Sequence, residues 1–257
     1  MVKFQKYEEK LSRYIRNLSK IKFKEKLRKL VFRIGIYHQD DFELIKEPPK
    51  QLVFPCHLGI LFCGDFKNSL FQTLKINLNQ IFDSFFYNIR NLGDYSFSKD
   101  LFDKGVKNEY KKSSKNNKKV GLHPTNKFYQ VLINKRKEEI LDIILTITNL
   151  PIYSSTNNNI LFLFGETHLK HRCSIVSTLT LKETFYNRQD NEAIFNDRVI
   201  KETVHEIGHL LLGAKHCENN SCVMRFSNII EEIDKKSIFL CEKCRQKLSK
   251  IRLDFNF

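Results

Sequence analysis

Residues 205–216 read HEIGHLLLGAKH. His205 and His209 are four positions apart, so on a helix both imidazoles project from one face. Two neutral ring nitrogens placed that way can bind one Zn2+ at about 2.0–2.1 Å. Glu206 follows the first histidine. It is placed to reach a zinc-bound water without being a ligand, which is where hydrolysis needs a general base. His216 comes after Gly213, a residue able to break the helix and turn the chain back. With His216 as a third ligand, the fourth position of a tetrahedral zinc stays open, as in a catalytic site. Two histidines on a helix face are often ordinary packing. The apolar helix, the Gly-x-x-His that follows and the cysteines beyond it favour a metal here.

A second constellation begins at the next residue. Cys217 and Cys222 are separated by four residues, and Cys241 and Cys244 form a CxxC pair 18 residues further on. Two close pairs make a four-thiolate zinc site, closed to solvent and therefore structural. The expectation is two Zn2+ per chain, one catalytic and one structural. Cys56, Cys63 and Cys173 have no paired partner nearby in sequence and are expected to be small buried hydrophobes. His168 and His171, close to Cys173, can be read as a third metal site or as a polar loop between strands. The loop is the expectation.

The run HEIGH…GAKHC…CVM…CEKC resembles the archaemetzincins, a metzincin family of zinc metallopeptidases. Their signature joins a metzincin zinc helix to a four-cysteine zinc site through an HC-x4-C-x-M segment, matched here by His216, Cys217, Cys222, Val223 and Met224. The resemblance implies that Met224 is the Met-turn residue, an apolar floor beneath the catalytic zinc. It implies a mixed α/β zincin-like fold: a twisted mixed sheet of about five strands, backing helices, a zinc-binding active-site helix and a small C-terminal subdomain around the four-cysteine zinc. It also implies that Ile160–His168 is the edge strand above the cleft, open to an extended peptide. The match is strongest over residues 160–250. Two spacings depart from the family pattern. One extra residue, Leu212, precedes Gly213, giving HExxHxxxGxxH. Sixteen residues separate Met224 from Cys241, about one fewer than the family uses. A π-type bulge or a looser last turn is expected to absorb the extra residue and leave His216 a ligand.

The elements that must position these residues follow from periodicity. Residues 3–33 repeat apolar side chains (Phe4, Tyr7, Leu11, Tyr14, Leu18, Ile21) at helical steps with a Lys/Arg face. Residues 1–50 are read as a basic, helical N-terminal extension ended by Pro48–Pro49, and 51–257 as the peptidase-like domain. Within it, 51–63 reads as a strand and 67–90 as a helix. Residues 95–122 read as a polar, basic loop insertion, and 125–141 as a helix. The segments 143–153, 160–165 and 173–181 read as strands. A long helix over 194–212 is expected, capped near Asn196 and stopped at Gly213. The C-terminal subdomain is 217–257.

Composition sets the outer limits. The chain has 257 residues, is 41% hydrophobic with 22 Phe, and carries a net charge of +15. That apolar content excludes a wholly disordered protein. No apolar run approaches the roughly 20 residues of a membrane span, and the N-terminal stretch lacks the apolar core of a secretory signal. A cytoplasmic protein with reduced thiols is expected. The charge is uneven: residues 1–33 hold 12 basic and 3 acidic side chains, and residues 99–119 hold 8 and 3. Around the cysteines the chain is nearly neutral, with 10 basic and 8 acidic over 201–257. That distribution disfavours a zinc-ribbon nucleic-acid binder, the rival class. A zinc-bound but inactive pseudo-peptidase is the other alternative, supported by the extra residue before Gly213. The reading preferred is a zinc metallopeptidase acting on peptide or protein substrates.

Overall fold

A computed structural model describes residues 52, 54–97, 105–110, 119–156, 161–255 and 257, all within one compact unit of the chain. The N-terminal helical extension expected over 1–50 lies outside the described residues. The elements run β1 (Cys56–Cys63), α1 (Asn68–Ile81), β2 (Phe86–Asp94), β3 (Lys107–Tyr110), β4 (Lys119–Pro124), α2 (Thr125–Glu138), β5 (Ile143–Thr148), β6 (Ile152–Tyr153), β7 (Gly165–His168), β8 (Cys173–Ser177), α3 (Glu192–Leu212), α4 (Ile230–Lys235) and α5 (Glu242–Phe255), with short 3-10 turns at Leu179–Leu181 and Glu183–Tyr186.

The main sheet has the order β2-β1-β5-β8-β7. β1, β2, β5 and β8 are mutually parallel, and β7 closes one edge antiparallel to β8. The three inner strands are buried almost without interruption. That pattern belongs to parallel strands covered on both faces, and it explains why they read as apolar runs rather than alternations. On one face α2 places Phe128, Leu132 and Ile133 against Leu61, Ile144, Cys173 and Ile175. α3 packs along β7, β8 and α1, and also touches α4 and α5. The end of α5 returns to the start of β1: Phe257 stacks on Phe54 at 5.1 Å and meets Phe85 edge-on at 5.0 Å.

Four expectations are corrected. The helix read over 67–90 ends at Ile81, because Ser84 takes a left-handed conformation (φ 65°) and turns the chain into β2. Phe85 and Ile89 kept the helical spacing but are buried from a turn and a strand. The loop read over 95–122 contains an antiparallel pair, β3 with β4. Backbone pairing satisfies this polar ladder, Leu122 anchors it by full burial, and Lys107 Nζ sits 4.3 Å above the Tyr153 ring. The edge strand read as 160–168 is regular only over Gly165–His168, with an isolated bridge between Leu163 and Ile152 before it. The cap of the long helix is Asn191, whose side chain accepts from the Ile194 amide at 3.1 Å. The helix starts earlier than expected because Asn191 satisfies an amide of its first turn.

Candidate active site

α3 carries the chemistry and is held from several sides. Every residue from Arg198 to Leu211 is buried, so this helix runs through the interior rather than along a face. Arg198, Lys201 and Glu202, buried along it, are each paired with an opposite charge. Arg198 donates through Nε and Nη2 to the two carboxylate oxygens of Asp234, both at 2.7 Å, and through Nη1 to the Leu181 carbonyl at 2.9 Å. Lys236 Nζ donates to Glu202 at 3.2 Å and to the Arg225 carbonyl at 3.1 Å. These bonds tie the chain between Arg225 and Lys236 to the helix about one and two turns before His205.

His205 Nδ1 donates to the Val223 carbonyl at 2.8 Å, and His209 Nδ1 donates to the Gly213 carbonyl at 2.9 Å. A carbonyl only accepts, so each Nδ1 holds its ring's proton. Burial lowers both imidazole pKa values and keeps the rings neutral. Both Nε2 atoms therefore present bare lone pairs, and they face each other at 3.0 Å. No hydrogen bond can form between two lone pairs. A cation between them would resolve the contact: tetrahedral zinc with bonds of about 2.0–2.1 Å separates two nitrogens by about 3.3 Å. His216 completes the group. Its ring lies 4.7 Å from that of His209 and 5.3 Å from that of His205. The three donor atoms lie within 4.8 Å of one another.

The extra residue before Gly213 is not taken up by a bulge. α3 stays α-helical to Leu212, and the Gly213 amide closes a regular bond to His209 O at 2.8 Å. The reversal starts at Gly213, whose φ of 96° favours glycine. The short loop Gly213–Lys215, not the helix, brings His216 back.

The four thiols form a second group, again within 4.8 Å. Cys217 Sγ is 3.6 Å from Cys241 Sγ, and Cys222 Sγ is 3.8 Å from Cys244 Sγ. Disulfides are about 2.05 Å. Four thiolates on one zinc, with bonds of about 2.3 Å, stand about 3.8 Å apart, so these spacings suit a metal. Cys56, Cys63 and Cys173 are buried thiols outside this group. His168 and His171 lie at the β7–β8 turn with rings 4.7 Å apart. They join neither donor group, the only two found among the described residues.

Met224 is buried directly under the motif: a Cβ on Gly208 would come 2.2 Å from its sulfur. Glu206 is buried between α3 and β7. Its Oε2 accepts from Thr167 Oγ1 at 2.5 Å. A Cβ on Gly165 would lie 2.5 Å from its Oε1. Burial pushes the Glu206 carboxyl up to about 8, opposed by the Thr167 hydrogen bond. Sequence reasoning did not single out Gly165, Thr167, Glu202 or Lys236. Gly165 and Thr167 sit two apart on a strand and so share a face. That period was the available signal.

The profile of peptidase family M54 matches residues 104–250, more than half of the chain. The chain belongs to peptidase family M54. Among M54 relatives, the archaemetzincin of Methanocaldococcus jannaschii is 40% identical over 121 residues, covering 47% of this chain and 65% of that protein. The archaemetzincin of Pyrococcus abyssi is 39% identical over 123 residues, 48% of this chain and 63% of its own length. These alignments span slightly less than two thirds of the relatives. The crystal structure of the Archaeoglobus fulgidus archaemetzincin, complexed with malonate, superposes with a TM-score of 0.51 at 25% identity, over 74% of this chain and 99% of the other. The Methanopyrus kandleri archaemetzincin shares the fold at a TM-score of 0.56 and 21% identity, over 76% and 95% of the two chains. The M54 assignment and both donor groups agree on zinc. No helix among the described residues is long and apolar enough to cross a membrane.

Proposed function

We propose that this chain is a zinc metallopeptidase that hydrolyses peptide bonds, with one catalytic and one structural zinc. The observation that carries the reading is the pair of Nε2 lone pairs of His205 and His209 facing each other at 3.0 Å, with both Nδ1 protons committed to carbonyls. His205, His209 and His216 would hold the catalytic zinc, and Cys217, Cys222, Cys241 and Cys244 the structural one. Bound there, the catalytic zinc supplies a Lewis acid that activates water and polarises the scissile carbonyl.

Glu206 accepts the proton of the attacking water and returns it to the leaving amine. Glu206 is next to His205 on α3 and nearly buried, so its carboxylate is placed beside the metal position, where a general base must act. Met224 fills the space beneath the two helical histidines. The Val223 and Gly213 carbonyls orient the imidazoles, as such partners do for zinc ligands generally. Among the described residues β7 is the end strand of the sheet, a place where an extended peptide can add as a further strand. The peptidase occupies residues 51–257, with 217–257 gathered around the thiols.

The inactive alternative rested on the extra residue before Gly213. The regular end of α3 and the return of His216 to the other two histidines weigh against it. The test is hydrolysis of a peptide library by the zinc-loaded chain and its Glu206→Ala variant. The variant is expected to retain both metals and to lose about 10²–10⁴-fold in rate. Parental rates in the variant would overturn the mechanism.

A further inference from the structure

The β7 strand does more than offer an edge. Residues 165 and 167 point to the same side, toward α3, and both meet the Glu206 side chain. Gly165 meets it by omission: any Cβ there would lie 2.5 Å from Oε1 and 2.8 Å from both Cδ and Cγ. Thr167 meets it by a bond: its Oγ1 lies 2.5 Å from Oε2, within the range of a hydroxyl donating to a carboxylate. Thr167 has one proton to give, and the 2.5 Å contact outranks its 3.1 Å approach to the Glu206 carbonyl. On its other side Thr167 Oγ1 is 2.9 Å from Ser174 Oγ on β8. With the Thr167 proton committed to Glu206, Ser174 donates to Thr167. Ser174 is fully buried, Glu206 nearly so and Thr167 half-buried.

We propose that Thr167 is a positioning residue for the reaction. By donating to Oε2, with Ser174 behind it, it fixes the rotation of the Glu206 carboxylate and leaves Oε1 as the oxygen that exchanges protons with the reacting water and amine. The inference rests on the reading of Glu206 as general base. A carboxylate on a two-carbon stem has free torsions about both χ angles and about its terminal bond. α3 fixes only the backbone of Glu206, Gly165 bounds the side chain, and the Thr167 bond selects one orientation. An error of about 1 Å in a group that must meet a proton can cost on the order of 100-fold in rate.

Thr167→Val removes the hydroxyl and keeps the branched shape. Thr167→Ala removes both, and covers the case in which valine beside the now unpartnered Ser174 hydroxyl prevents folding. Thr167→Ser restores the donor. The readouts are kcat and KM on one peptide substrate, zinc content by metal analysis, and unfolding temperature. Thr167→Val and Thr167→Ala are expected to lose about 10- to 100-fold in kcat. KM and zinc content should hold, since the bond serves the base and not the substrate. Thr167→Ser is expected to return kcat to within about threefold of the parent. A folded, zinc-loaded Val or Ala variant with kcat within about twofold of the parent overturns the proposal. So does a loss that appears in KM alone, or one that serine fails to rescue. Glu206→Ala runs alongside: if it keeps parental activity, the general-base reading has failed. If it is inactive while Thr167→Ala is unaffected, only the present proposal has failed.

Discussion

Gly208→Ala tests whether the Met224 floor controls the metal. The added Cβ would stand 2.2 Å from Met224 Sδ and 3.0 Å from its Cε. Non-bonded heavy atoms rest at about 3.5–4.0 Å, so the sulfur must retreat by about 1.5 Å. Met224 is 1% exposed, so it has no solvent to retreat into and must push on its neighbours. Alanine in a helix interior gains about 1 kcal/mol over glycine, while overpacking a buried site costs about 1–3 kcal/mol. The expected net effect is a loss between about 0 and 2 kcal/mol, where helix propensity alone would give a gain. The sharper consequence is local. Val223, next to Met224, holds His205 through a 2.8 Å bond from Nδ1, and a displacement of Met224 passed on to the backbone would lengthen that bond. Disturbing such a partner of a zinc ligand typically costs about 10- to 100-fold in metal affinity. Urea unfolding of the zinc-loaded variant and competition titration with a chromophoric chelator give the two numbers. A variant stabilised by about 1 kcal/mol with unchanged zinc affinity would refute the reasoning, because Met224 would then not fill the space under the helix.

The two metals are expected to differ in lability. A chelator of moderate affinity should remove one zinc with the fold retained, and stripping the second should unfold the C-terminal part. Metal analysis of protein purified without chelator should give two ions per chain, and finding one or none would contradict it. Alkaline pH gives an independent test at Cys173. Burial pushes its thiol up to about 12 from an ordinary 9.0. The folded state thus keeps a proton that the unfolded chain gives up. The stabilisation is complete below about pH 9 and is lost as pH rises from 9 toward 12. Cys173→Ala should flatten the fall of stability over that window, and identical slopes would show that the thiol ionises unhindered in the fold.

Both donor groups were legible because their spacing is local. Two histidines at i and i+4, and cysteines in two short pairs, carry their geometry in sequence. The inner strands were legible because burial on both faces leaves an unbroken apolar run. What surrounds the site was not, since it is made across the fold. Thr167 meets Glu206 across 39 residues and Lys236 meets Glu202 across 34, and no short-range period encodes such pairs. The β3–β4 pairing hid behind polar side chains, since a ladder needs only backbone. Phe85 and Ile89 continued a helical period past the true end of α1 because burial from a turn and a strand happened to fall at similar steps. The cap was expected near Asn196, and the bond from the Ile194 amide puts it at Asn191.

The stretch His216–Met224 belongs to both donor groups. His216 and Cys217 are adjacent, and Cys222 is followed by the carbonyl that holds His205 and by the methionine under Gly208. Two binding equilibria that share one stretch of chain are thermodynamically linked. With an ion in each group, the first to arrive would order the segment, and the second would then meet a chain with less freedom left to lose. The coupling is reciprocal, so whatever factor occupancy of the thiols contributes to the affinity of the imidazoles, occupancy of the imidazoles contributes to that of the thiols. An affinity measured for the histidine group is therefore a property of the loading state of the cysteines, and a zinc titration of the stripped chain should rise more steeply than two independent sites allow.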